Sequence, residues 1–133
     1  MLDNNVKLKS VLEITKKLGR ITGRDGIYLD ETSFKNERIL ILKGEINGQL
    51  CSVSHEARWI GYEIKFKGVV YQKMFDSEKF SGAEEFDSNI TQKIDSELIT
   101  SEVREKSHFV VITYDYYIEV VASSIELTVL ATR

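Results

Sequence analysis

Residues 59–66 read Trp-Ile-Gly-Tyr-Glu-Ile-Lys-Phe. Ile60, Tyr62, Ile64 and Phe66 fall on one face of an extended chain, and Gly61, Glu63 and Lys65 on the other. A period of two belongs to a strand that buries one face and wets the other, the usual state of an antiparallel sheet. Aromatic and β-branched runs of strand character recur at Ile39 to Ile46, Val69 to Phe75, His108 to Thr113, Tyr117 to Val121 and Ile125 to Leu130. Asn47-Gly48 follows one of these runs and predicts a two-residue hairpin turn, with Gln49 to Ser54 as the return strand. Lys67-Gly68 predicts the next turn.

Two segments break the pattern. Val6, Leu8, Val11, Leu12, Ile14, Thr15 and Leu18 recur at three- and four-residue steps and predict an N-terminal helix stopped at Gly19. Residues 76–105 hold nine acidic and three basic side chains, and Phe80, Phe86, Ile90, Ile94 and Leu98 predict short helices there. The expected fold is therefore α+β. One domain, 1–133, has its N-terminal helix packed on a twisted, mainly antiparallel sheet of about six strands. A curled sheet or partial barrel is the open alternative, because closure hides sheet edges.

Charge and composition restrict the function. Eighteen Lys and Arg against 21 Asp and Glu leave a net of −3, which argues against a nucleic-acid partner. No apolar run approaches the roughly 20 residues of a membrane span, and the first residues have no signal-peptide pattern, so the expectation is a cytoplasmic protein away from the membrane. A single cysteine excludes an internal disulfide and a Cys-rich metal site.

The chemical motifs are fragmentary. His55-Glu56-Ala57-Arg58-Trp59 lacks the second histidine of a zinc-protease helix. Gly19 to Gly26 is basic and glycine-rich, but it follows a helix pattern where a phosphate cradle precedes one. Cys51 reads as a small core residue. No catalytic residue, metal or cofactor is expected. The candidate binding residues are Trp59, Tyr62, His108, Tyr114, Asp115, Tyr116 and Glu119, chosen as sheet aromatics and the polar groups beside them. Trp59 lies off the Tyr62 face, and the adjacent Tyr116 and Tyr117 must point opposite ways.

Trp59…Tyr62…Phe66, the acidic Glu85-Phe86-Asp87-Ser88, and His108-Phe109…Thr113-Tyr114-Asp115…Glu119-Val120 give residues 59–125 a dispersed likeness. This stretch resembles small bacterial single-domain proteins of uncharacterised families, some of them similar to the immunity proteins that accompany toxins. The likeness implies a non-catalytic protein-binding module, immunity- or inhibitor-like. Its partner would carry a basic surface, steered by the acidic 76–105 segment and anchored by exposed aromatics. The alternative is a small-molecule binder or minor enzyme, with His55, Glu63, His108 and Tyr114 converging on a cavity in a curved sheet.

Overall fold

Runs of apolar and β-branched side chains build the strands, and among the described residues nine of them form two sheets. The structure, a computed structural model, describes residues 8–9, 18–35, 38–53, 58–76, 88–93 and 96–132. The strands are β1 (Leu8–Lys9), β2 (Ile27–Lys35), β3 (Ile39–Asn47), β4 (Trp59–Lys67), β5 (Tyr71–Asp76), β6 (Ile90–Lys93), β7 (Ser107–Ile112), β8 (Tyr116–Ala122) and β9 (Ser124–Thr132). One sheet has the order β2-β3-β4-β9, the other β1-β6-β7-β8-β5, and every pairing is antiparallel.

The inner faces meet in one core. Leu40, Leu42 and Ile46 of β3 and Ile60, Tyr62, Ile64 and Phe66 of β4 pack with Phe109 and Val111 of β7 and Ile118 and Val120 of β8. Phe66 and Phe109 touch across the layers with ring centroids 5.8 Å apart. The alternation expected of 59–66 holds except at Gly61, which is buried: the even positions are buried, while Glu63 and Lys65 stay partly exposed.

A bent two-stranded ribbon joins the sheets. β4 pairs with β9, and β5, directly after β4, pairs with β8, directly before β9. The turn from one sheet to the other occurs at Gly68 and Ser123. There Ser123 N donates to Lys67 O at 2.8 Å and Val70 N to Val121 O at 2.9 Å. Gly68 takes φ +69°, and a side chain on it would also collide with Ser123 Oγ, so this corner requires glycine.

Several expectations are corrected. Among the described residues there is no α-helix, so the fold is not an α+β arrangement with a helix on a sheet. Leu8 and Lys9, inside the expected N-terminal helix, pair as strand with Lys93 and Gln92; the rest of that helix before Leu18 lies outside the described residues. In the acidic middle, Ile90 belongs to β6 and packs in the core. Phe80, Phe86 and Ile94 lie outside the described residues. In place of one sheet of about six strands there are two, because β5 and β9 each leave the sheet of the strand before them.

Asn47-Gly48 is not the hairpin turn. Asn47 pairs with Trp59, so β3 and β4 are joined by residues 48–58. The Asn47 side chain accepts from Gln49 N at 3.0 Å and starts a 3-10 turn at Gly48–Leu50. The chain then runs beside residues 18–22: Thr22 N donates to Leu50 O at 3.2 Å and Ser52 N to Arg20 O at 2.7 Å. Among the described residues no helix is long and apolar enough to cross a membrane.

Candidate functional site

The strongest surface feature stands where β2 and β4 begin and β7 turns into β8. Tyr28, one residue into β2, stacks on Tyr114 with centroids 5.1 Å apart and planes 14° apart. It also meets Trp59 edge-on at 5.4 Å and 79°. Arg24 lies over Tyr114 at 4.4 Å and Arg58 over Trp59 at 5.3 Å. Together they form a ladder, Arg24-Tyr114-Tyr28-Trp59-Arg58, with half-buried rings and exposed cations. Both ring arrangements match what the aromatic quadrupole favours, and the guanidinium groups sit where its negative face attracts them.

Local structure holds the ladder in place. Tyr114 N donates to Ile27 O at 2.8 Å, and Arg24 Nε donates to Tyr114 O at 3.2 Å. These bonds tie the β7–β8 turn to the start of β2. Thr113 holds that turn: Thr113 N donates to Tyr116 O at 2.7 Å and Tyr116 N to Thr113 Oγ1 at 2.9 Å. The Tyr28 hydroxyl donates to Asp25 Oδ1 at 3.1 Å. The Tyr28 phenol titrates above its ordinary value, through desolvation first and the Asp25 carboxylate second.

Tyr62 supports the ladder from beneath. It is fully buried, and its hydroxyl donates to Tyr28 O at 3.0 Å. Burial pushes its pKa far up, so it stays a neutral donor. Gly44, its partner on β3, leaves room for the Tyr28 carbonyl, which a side chain there would strike. Of the expected binding residues, Trp59 and Tyr114 join this ladder. Asp115 is exposed in the neighbouring turn, Tyr116 is exposed at the start of β8, and Tyr62 is core. Sequence reasoning missed Tyr28 because Asp30, an extra residue between the paired Leu29 and Glu31, interrupts the alternation of β2.

His108 and Glu119 belong to a second place. His108 is buried on β7, with Nε2 3.0 Å from Glu119 Oε1 on β8 and Nδ1 2.6 Å from Ser96 Oγ. A carboxylate only accepts, so Nε2 carries the hydrogen and the neutral ring accepts at Nδ1. The Ser96 oxygen takes the Leu98 amide at 3.0 Å and turns its own hydrogen to Nδ1. Burial lowers the His108 pKa and Lys93 adds to this, against the opposing pull of Glu119. Of the four groups expected to converge on one cavity, Glu63 pairs with Lys43 at 3.8 Å, Tyr114 is in the ladder, and His55 lies outside the described residues.

The lowered pKa sets a pH dependence. The unfolded chain binds a proton at His108 near its ordinary value of about 6.5, before the folded chain does. Stability therefore falls as pH drops below about 6.5. Thermal unfolding followed from pH 7.5 to 5.5 should show Tm decreasing, with a shallower slope in His108→Asn. An unchanged slope in that variant assigns the effect to other groups.

Comparison with protein-family models, with curated proteins and with solved structures matches this chain to none of them.

Proposed function

We propose that this chain is a protein-binding module that docks through the Arg24-Tyr114-Tyr28-Trp59-Arg58 ladder. The observation that supports it is the composition of that surface. Trp, Tyr and Arg are the residues most enriched where single side chains dominate binding energy, and here they stand contiguous and already ordered. An ordered ladder loses little side-chain entropy when it is covered.

The partner's charge follows from position. Glu97, Glu102 and Glu105 are exposed, but they precede β7, whereas Tyr114 follows it. Six residues of strand separate the two ends by roughly 20 Å. Arg24 and Arg58 cap the two ends of the ladder; the Asp25 carboxylate already takes the Tyr28 hydroxyl, half-buried Glu45 stands opposite Tyr28 on β3, and Asp76 stands opposite Tyr116. With its outermost groups both guanidiniums, the ladder suits an acidic protein segment, rather than the basic surface that the charge of 76–105 suggests.

Trp59 is the sole tryptophan, so intrinsic fluorescence reads this surface directly. Poly-L-glutamate at low salt should give a saturable change in Trp59 emission that poly-L-lysine does not. Arg24→Glu with Arg58→Glu should abolish it. A protein captured from lysate by the native chain should be released by the same pair of substitutions, and Trp59→Ala should weaken its binding about 30-fold or more. Equal responses to the two polymers, or capture indifferent to the charge reversal, would refute the reading.

A further inference from the structure

A pocket of about 280 Å³ opens beside His108, between the β6–β7 pair and the residues that lead into β7. Lys93, Lys106, Ser107 and Gln92 line it together with Ser96 and His108, and among the described residues no Asp or Glu does. We propose that this pocket binds a small oxyanion, a carboxylate or a tetrahedral phosphate-like group, and that binding draws one proton onto His108.

The donors are in place for an anion. Lys93 stands directly opposite His108 on β6. Lys106 Nζ gives one hydrogen to Ser123 Oγ at 2.7 Å, which leaves two. Ser107 Oγ accepts from Gln92 Nε2 at 3.1 Å, a contact on the opposite face of the β6–β7 pair from Lys93 and His108. Two lysines on a pocket whose described lining holds no carboxylate make an electropositive recess with room for a small oxyanion.

The proton coupling comes from Ser96. In the neutral state its one hydrogen is committed to His108 Nδ1. Once His108 is protonated, Nδ1 becomes a donor and Ser96 Oγ must accept from it, as it already does from Leu98 N. The Ser96 hydrogen then turns away from the ring towards the pocket and adds a donor for the anion. The charged groups that face His108 are Lys93 from β6 and Glu119 from β8, with Lys73 of β5 opposite Glu119. Lys106 is a further cation on the pocket wall. An anion beside Lys93 offsets that lysine's opposition to an imidazolium and so raises proton affinity. By linkage the same factor strengthens anion binding at lower pH.

The test follows the ring C–H signals of the two histidines, His55 and His108, by NMR. Acetate and sulfate are titrated separately at pH 5.5 and 7.5, since both keep their charge over that range. The expected result is a saturable shift of His108 for at least one anion, tighter at the lower pH by up to about tenfold for each unit by which binding raises its pKa. Preference for acetate indicates a carboxylate ligand, and preference for sulfate a phosphate-like one. Lys93→Gln, at an exposed position, should weaken binding about tenfold or more while His108 keeps its signal and the protein its Tm. Ser96→Ala should reduce the difference between the two pH values. The proposal is overturned if neither anion moves His108, if Lys93→Gln binds as the native chain does, or if affinity is the same at both pH values.

Discussion

Phe66→Ala should lower the unfolding free energy by about 3–5 kcal/mol, the usual cost of emptying an aromatic site in a packed core. Phe66 has no exposed surface, closes the inward face of β4, and touches Phe109 of the opposite sheet. It also sits two residues before Gly68, where the β4–β5 and β8–β9 ribbon turns from one layer to the other. A backbone pinned by Ser123 N to Lys67 O and by Val70 N to Val121 O cannot collapse into the vacated space, which places the cost towards the upper end. Against a total of roughly 5–15 kcal/mol, that is a large share of the stability. Urea unfolding monitored by Trp59 emission and by far-UV circular dichroism measures it. A loss below about 1.5 kcal/mol would mean that the sheets do not pack through this contact.

Gly44→Ala should cost about 1–3 kcal/mol, the range for forcing atoms into a filled site, although it adds a single methyl group. The new carbon would meet the Tyr28 carbonyl and approach Asp30 N at 3.1 Å, and both are backbone atoms that no rotamer change can move aside. Edge strand β2 would have to shift. Tyr28 would shift with it, and the Tyr62 hydroxyl bond to Tyr28 O would be lost. The stacking of Tyr28 on Tyr114 and its edge contact with Trp59 would follow. The substitution should therefore change Trp59 emission and weaken the response to polyglutamate, even in the folded protein. Lys43→Ala, next along β3, is the control: it removes only a partly exposed 3.8 Å ion pair with Glu63 and should fall within about 1 kcal/mol of the native chain. If Gly44→Ala behaves like Lys43→Ala, then the close approach of β2 to Gly44 is not a feature of the folded protein.

The two candidate sites differ in how far the sequence reveals them. Trp59 is legible as a residue off the buried face because its neighbours Ile60, Tyr62, Ile64 and Phe66 define that face by alternation. His108 and Glu119 are legible only as polar residues on strands. Their contact follows from the β7–β8 pairing, which sets Val110 opposite Glu119 and His108 opposite Val121, so the two side chains meet on the diagonal. Ser96 carries no signal, since a serine in an acidic stretch reads as solvated until the chain folds it against His108. Arg24, Tyr28, Arg58 and Tyr114 are spread over ninety positions, and only the meeting of three separate turns brings them together.

The sequence by itself determined which face of β4 is dry. Alternation is a consequence of local backbone stereochemistry, and burial of one face then selects the register within a pair. The tertiary structure decided which strands pair and in which sheet. Backbone hydrogen bonds between strands are the same whatever the side chains, so β5 and β9 read like continuations of the strands before them until Gly68 and Ser123 turn the ribbon. It likewise decided that Leu8 and Lys9 extend along Gln92 and Lys93. A stripe at three- and four-residue steps states a helical preference, and at Leu8 and Lys9 a partner strand more than eighty residues away overrides it by supplying backbone hydrogen bonds from outside the segment.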